Sequence, residues 1–206
     1  MPPVYWAQVR VLLPVLRRAL MHLQIVGEEN VPRCGPVILA ANHPDNWDPY
    51  ISNLAIPHRT IHHFARADGM ATHGLGAYWR QVGALPANGE GLHQAIRILR
   101  VGGIVGVYPE GRITQALTFA GSGAAILALR SGAPIIPVAV WGTQDVHFYA
   151  PHRRPRVTIR FGAPRLANRC DAADLSVNIM RDIAAMLPEC YRGIYAEGVP
   201  EPVAVF

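Results

Sequence analysis

Residues 36–49 read Pro-Val-Ile-Leu-Ala-Ala-Asn-His-Pro-Asp-Asn-Trp-Asp-Pro. The first six form a short apolar run without polar alternation, the pattern of a strand covered on both faces. At Asn42 the run stops and a polar turn begins. Pro49–Ala55 then reads as a helix, and Asp48 before Pro49 has the form of an N-cap followed by proline at the first helical position. A buried strand, a polar turn and a helix in succession form the repeating unit of an α/β sheet.

The same alternation extends in both directions. Leu23–Gly27, Thr60–Ala65, Gly103–Tyr108 and Pro134–Trp141 are predicted strands, and Arg156–Phe161 alternates as a further one. Gly83–Pro86 is a short extended piece. Helices are predicted over Gly74–Val82, Gly91–Arg100, Gly123–Ser131 and Asp171–Leu187. In Gly91–Arg100 the residues Leu92, Ala95, Ile96 and Leu99 fall at helical spacing, and the acidic start of Asp171–Leu187 suits the helix dipole. The expected fold is α/β, with a mostly parallel central sheet flanked by helices and an N-terminal amphipathic helical element. Residues 1–21 form that element, 22–197 a single domain and 198–206 a loosely held tail.

The chain has 206 residues, half of them hydrophobic and 16% charged, against a typical ~25% charged. That apolar share excludes disorder. All 19 cationic residues are arginine, and 14 acids leave a formal charge of +5. An arginine-only chain is what a GC-rich coding sequence produces, and it is also what recognition of phosphate by a bidentate guanidinium calls for. Arg153, Arg154, Arg156, Arg160, Arg165 and Arg169 lie in a stretch without an acid between Asp145 and Asp171. It reads either as a solvated basic face or as a surface for anionic lipid, coenzyme phosphates or an acidic carrier protein. The stretch has too few interleaved aromatics and no nucleic-acid motif, so no nucleic-acid partner is expected.

Cys34, Cys170 and Cys190 show no metal or redox spacing, which predicts a reduced, metal-free, cytoplasmic chain. Met1–Trp6 lacks the charged start of a secretory signal. Residues 4–23 are apolar but interrupted by Arg10, Pro14, Arg17 and Arg18, whereas a spanning helix needs ~20 mostly apolar residues. Tyr5 and Trp6 beside leucines and arginines fit a helix lying at a membrane surface. An ordinary amphipathic helix packed on the domain, kinked at Pro14, is the other reading.

Two strand ends carry chemistry. In Asn42–Asp48 a histidine precedes a carboxylate by five residues, about 500° of helix, so the pair would not share a helical face. They meet only if the chain turns first, as Pro44 and Pro49 favour. A histidine held by a carboxylate keeps one tautomer and can act as general base. The plainer reading leaves Asp48 as a cap and His43 as a loop residue. After Gly103–Tyr108 comes Pro109-Glu110-Gly111-Arg112-Ile113-Thr114, where glycine allows close backbone approach and arginine offers an anion site. The adjacent pair His62 and His63 would face opposite sides of a strand, which reads as structural. His93 and His147 read likewise.

Together, Asn42-His43-x4-Asp48, Pro109-Glu110-Gly111 and Ala133-Pro134-Ile135-Ile136-Pro137-Val138 resemble the glycerolipid acyltransferase family, the 1-acylglycerol-3-phosphate and lysophospholipid acyltransferases. The lead-in Val26–Pro32 and Gly35–Leu39 looks similar too, and the resemblance runs approximately from residue 22 to residue 165. It implies that 22–197 is an acyltransferase domain, with His43 as general base and Asp48 orienting it. Asn42, Arg66, Glu110, Gly111, Arg112, Thr114 and Pro137 are the implied substrate-binding residues. The implied reaction is direct attack of an acceptor hydroxyl on an acyl thioester carried by coenzyme A or acyl carrier protein, with no metal and no tightly bound cofactor.

Two departures bear on the acceptor. Many relatives write the third block Pro-Glu-Gly-Thr-Arg-Ser and end the second with an arginine, whereas Ile113 and Gly89 hold those positions here. Those arginines are associated with the acceptor's phosphate. The form Pro-Glu-Gly-Arg-Ile-Thr, with Gly142–Phe148, instead resembles the bacterial 2-acylglycerophosphoethanolamine acyltransferase branch. A lysophospholipid acceptor is therefore expected, on a protein peripheral to the cytoplasmic face of the cell membrane. The competing expectations are acyl transfer to another amphiphile, a thioesterase or lipid hydrolase, and a non-catalytic lipid-binding protein.

Overall fold

Strand β2 (Val37–Ala41) is buried at all five positions and occupies the middle of the sheet. The structure is a computed structural model that describes residues 3–147, 150–167 and 171–196. Phe148, Arg169, Cys170 and the tail from Gly198 lie outside the described residues. The other strands are β1 (His22–Val26), β3 (Ile61–Ala65), β4 (Leu85–Pro86), β5 (Ile104–Val107), β6 (Ile135–Trp141) and β7 (Arg156–Phe161). They form one seven-stranded sheet in the order β1-β7-β6-β2-β5-β3-β4. Every neighbouring pair is parallel except β6–β7, which is antiparallel. The mostly parallel sheet is as expected, and the reversal of β7 with β1 beside it is a feature that alternation alone does not encode.

Helices cover both faces. They are α1 (Pro3–Ala7), α2 (Leu13–Leu20), α3 (Asp48–Ala55), α4 (Ala67–Met70), α5 (Leu75–Gln81), α6 (Gly89–Arg100), α7 (Gly123–Ser131) and α8 (Ala172–Met186). Because side chains alternate along a strand, Ile38, Ala40, Val105 and Val107 enter one core with residues of α6, α7 and α8. Val37, Leu39, Ala41 and Ile104 enter a second with Leu20, Ile51 and Ala55 on the opposite side. Burial on both faces is why these strands lack polar alternation. The Asn88 side chain caps α6 by accepting the Gly91 N–H at 3.0 Å, so that helix starts two residues earlier than expected.

The N-terminal element shows no break at Pro14. Gln8–Leu12 widens into a π turn in which the Leu13 N–H bonds Gln8 O. Proline has no N–H to return and its ring crowds the preceding turn, and the wider turn accommodates both effects without ending the helix. Tyr5, Val9 and Leu13 are buried in a small cluster. The Tyr5 hydroxyl donates to Asn53 Oδ1 at 3.2 Å and accepts the Ile61 N–H at 3.2 Å, tying the element to α3 and β3.

β2 and β5 are parallel neighbours, with Val37 opposite Ile104 and Ala40 opposite Val107. The chain leaves β2 for β3 on the far side of β5, and leaves β5 for β6 on the far side of β2. Connections departing in opposite directions open a crevice at the carboxyl ends, where α/β sheets bind ligands. Asn42 and Tyr108 emerge there side by side.

Candidate active site

The carboxyl end of β2 is fastened before it turns. Asn42 is buried, its Nδ2 donates to Val140 O at 2.8 Å, and its Oδ1 accepts the Val140 N–H at 2.7 Å. Both ends of this amide are occupied by β6 backbone. Asn42 therefore anchors the turn, and its amide is not presented to a substrate.

The next residues reverse the chain. Asp45 Oδ1 accepts the Trp47 N–H at 3.1 Å, and Asp45 O accepts the Asp48 N–H at 3.2 Å. This turn returns Asp48 to His43, placing His43 Nδ1 and Asp48 Oδ2 2.6 Å apart. The same carboxylate oxygen accepts the Asp45 N–H at 2.9 Å. Asp48 is the first residue of α3 and makes no helix cap. Its carboxylate faces back toward the turn, so the capping reading is corrected. Among the described residues none bonds His43 Nε2, and the side chain keeps 15% of its surface exposed.

Asp48 is fully buried. Burial raises its pKa, opposed by the contact with His43, the Asp45 N–H and the Thr143 side chain. The other face of the imidazole rests on Tyr108, with ring centroids 4.0 Å apart and planes 19° apart. His63 lies beyond Tyr108, at 5.9 Å and 15°. Burial, and then the nearby His43, push the His63 pKa down to about 3. Burial also holds the Tyr108 phenol well above its ordinary value.

The loop after β5 closes the other side. Gly111 turns the chain at φ +66°, its N–H bonded to Tyr108 O at 3.0 Å. Glu110 Oε1 accepts three bonds, from Thr114 Oγ1 at 2.8 Å, the Thr118 N–H at 2.7 Å and Thr118 Oγ1 at 3.1 Å. The Thr114 N–H donates to His43 O at 2.9 Å, which joins the two loops. Glu110 and Thr114 thus hold the loop against the histidine, and Arg112 stands exposed beside them.

Besides Asn42, two further expected residues are placed differently. Pro137 is buried inside β6 opposite Ala40, and its carbonyl accepts the Gly162 N–H. Its missing N–H falls on that same side, beyond the end of β7, which is how the sheet tolerates it. Pro137 therefore lines the core and does not reach the crevice. Arg66 follows β3 into solvent and pairs with Asp68 at 2.5 Å. Tyr108 and Thr143 escaped sequence reasoning. Tyr108 stood within a quoted block with no role, although its place at a strand end beside Asn42 was a usable signal. Thr143 stood inside the quoted Gly142–Phe148, likewise with no role. Among the described residues no group of three His, Cys, Asp or Glu side chains could hold a metal ion.

Comparison with known proteins places these features in context. A family model described as Acyltransferase matches residues 22–141. One curated relative, the 1-acyl-sn-glycerol-3-phosphate acyltransferase of Bacillus subtilis (strain 168), is 25% identical over 125 residues, 58% of this chain and 63% of the relative. The matched stretch is therefore less than two-thirds of that relative. Among solved structures, the 1-acyl-sn-glycerophosphate acyltransferase PlsC of Thermotoga maritima superposes with a TM-score of 0.65 at 21% identity, covering 85% of this chain and 78% of that one. The last likeness is one of fold.

Proposed function

Because the chain belongs to the acyltransferase family, we propose that it transfers a fatty acyl group from an acyl thioester to the hydroxyl of a lysophospholipid or glycerol phosphate acceptor. The observation that carries this reading is the 2.6 Å contact between His43 Nδ1 and the buried Asp48 carboxylate, with Nε2 left open. With Asp48 ionised and accepting from Nδ1–H, the lone pair sits on Nε2. Nε2 takes the proton of the acceptor hydroxyl as its oxygen attacks the thioester carbonyl. The C–O bond forms, the C–S bond breaks, and the proton passes from the imidazolium to the departing thiolate. Charge on Asp48 stabilises the imidazolium between those two transfers.

Thioesters of coenzyme A and of acyl carrier protein both fit this scheme. Arg112 is exposed on the loop that Glu110 and Thr114 brace against His43, suited to an anionic headgroup. Ile113 and Gly89 supply no second guanidinium, which favours a phosphodiester lysolipid over a free phosphomonoester. No described helix is long and apolar enough to cross a membrane. The reading places the protein on a membrane surface on the cytoplasmic side, where its acceptor is found.

The test supplies acyl-coenzyme A and acyl carrier protein donors with a panel of lysolipids and follows thiol release and lipid product. Acceptor-dependent ester formation is expected, with turnover of His43→Ala lower by roughly 10²–10⁴. Free fatty acid formed without acceptor would establish a hydrolase in its place. Undiminished transfer by His43→Ala would remove the assigned base.

A further inference from the structure

Asp48 presents two oxygens to a dry interior. Oδ2 serves His43 and the Asp45 N–H. Oδ1 is buried, with no partner at full hydrogen-bonding geometry. The Thr143 hydroxyl is in the same condition, on a side chain with no exposed surface. The two groups belong to segments 95 positions apart, yet the threonine hydroxyl acts on the Asp48 carboxylate. A buried donor left beside a buried acceptor is costly for both unless the two are joined, and one contact would offset both costs.

The corner before Thr143 sets its position. Gly142 follows β6 at φ +84°, and a Cβ there would stand 2.2 Å from Arg156 O. Only glycine makes that corner, and Thr143 is the first residue beyond it, in the short turn Thr143–Asp145. The Asn42–Val140 clamp fastens β2 to β6 just before the corner. One clamp thus fixes His43 on one strand and Thr143 on the other.

We propose that Thr143 is a positioning residue of the active site, its hydroxyl donating to Asp48 Oδ1 so that the carboxylate stays ionised and holds His43 with its free lone pair on Nε2. The proposal rests on His43 acting as the base. A second proton on the His43–Asp48 pair abolishes that lone pair, whichever partner carries it. A donor on Oδ1 makes the pair harder to protonate. The other titratable groups around the pair are His43 itself, Asp45 in the same turn, whose N–H meets Asp48 Oδ2, Tyr108 from the end of β5, and His63 from β3, which acts on His43. Tyr108 and His63 are both neutral near neutral pH, so the hydroxyl is the group that sets this balance from the β6 side.

The experiment compares Thr143→Val, Thr143→Ala and Thr143→Ser in full pH profiles of acyl transfer, with His43→Ala alongside. The valine variant is expected to lower kcat roughly tenfold with KM within about twofold, and to move the acid limb of kcat/KM to higher pH. Serine restores both. The alanine variant repeats the pH shift if valine fails to fold. Parental profiles in the valine or alanine variant, with His43→Ala inactive, overturn the role of Thr143 and leave the proposed function standing. An active His43→Ala overturns the function itself.

Discussion

His63 shows how the site's surroundings set a pH limit on the whole fold. Its two ring nitrogens are shielded and make no hydrogen bond, and its pKa falls from 6.5 to about 3 through burial and then through His43. The unfolded chain binds this proton near pH 6.5 and the folded chain does not until about pH 3. The contribution to stability is therefore complete above 6.5 and drains as the pH falls, by at most about 1.4 kcal/mol per pH unit for one proton. Replacing the ring removes that proton. His63→Leu is expected to flatten the decline in urea-unfolding free energy between about pH 6 and pH 4 by close to one proton. An unaltered slope would mean that His63 is charged in the native protein. Asp48 shows the opposite sign. Its raised pKa means that ionisation costs the fold stability above the ordinary carboxylate range, a cost accepted because the chemistry needs the anion.

At the scale of elements, β5 makes room for that ring. Gly106 lies opposite His63 in the parallel pairing of β3 with β5, and a Cβ on it would stand 2.4 Å from His63 Nδ1 and 3.2 Å from Ile61. Gly106→Ala sets a methyl group against the His63 ring, which stacks with Tyr108 as Tyr108 does with His43. It is expected to cost about 1–3 kcal/mol of stability in urea melts, with a matching loss of turnover. Parental stability would show that the ring has somewhere else to go. This dependence on neighbours also marks what could be read in advance. Val37–Ala41 and Ile135–Trp141 were legible as strands because both of their faces are buried, which removes polar residues from the run itself. The neighbours of each strand were not legible, since periodicity records burial and not pairing. The reversal of β7 and the four-residue α4 were missed for that reason and for shortness. The same division holds at the site. His43 and Asp48 lie in one short turn bracketed by prolines, so their meeting could be anticipated. Thr143 reaches Asp48 only because β6 lies beside β2, and Pro137 is kept from the crevice by its register with Ala40.

At the scale of the molecule, the N-terminal element is packed on the domain and still leaves a face on which membrane contact can be tested. Its inner face is packed, through Tyr5, Val9 and Leu13. Its outer face leaves Val11 65%, Leu12 53% and Val15 62% exposed, and no described part of the chain covers them. Arg10 lies over the Trp6 ring at 4.7 Å, and α2 packs against the turn Pro151–Arg153, in which Arg153 is exposed, as is Arg156 beyond it. Apolar side chains flanked by guanidiniums suit the boundary of an anionic bilayer, where both terms add. Val11→Asp, Leu12→Asp and Val15→Asp combined remove the apolar term and add charge of the wrong sign. The triple variant is expected to bind vesicles containing anionic phospholipid at least about tenfold more weakly in a flotation assay. Because the three side chains are already in water, its melting temperature should stay within about 2 °C of the parent. Turnover of a soluble short-chain acceptor should also persist, since none of the three belongs to the His43 crevice. Undiminished vesicle binding would assign these side chains to another partner.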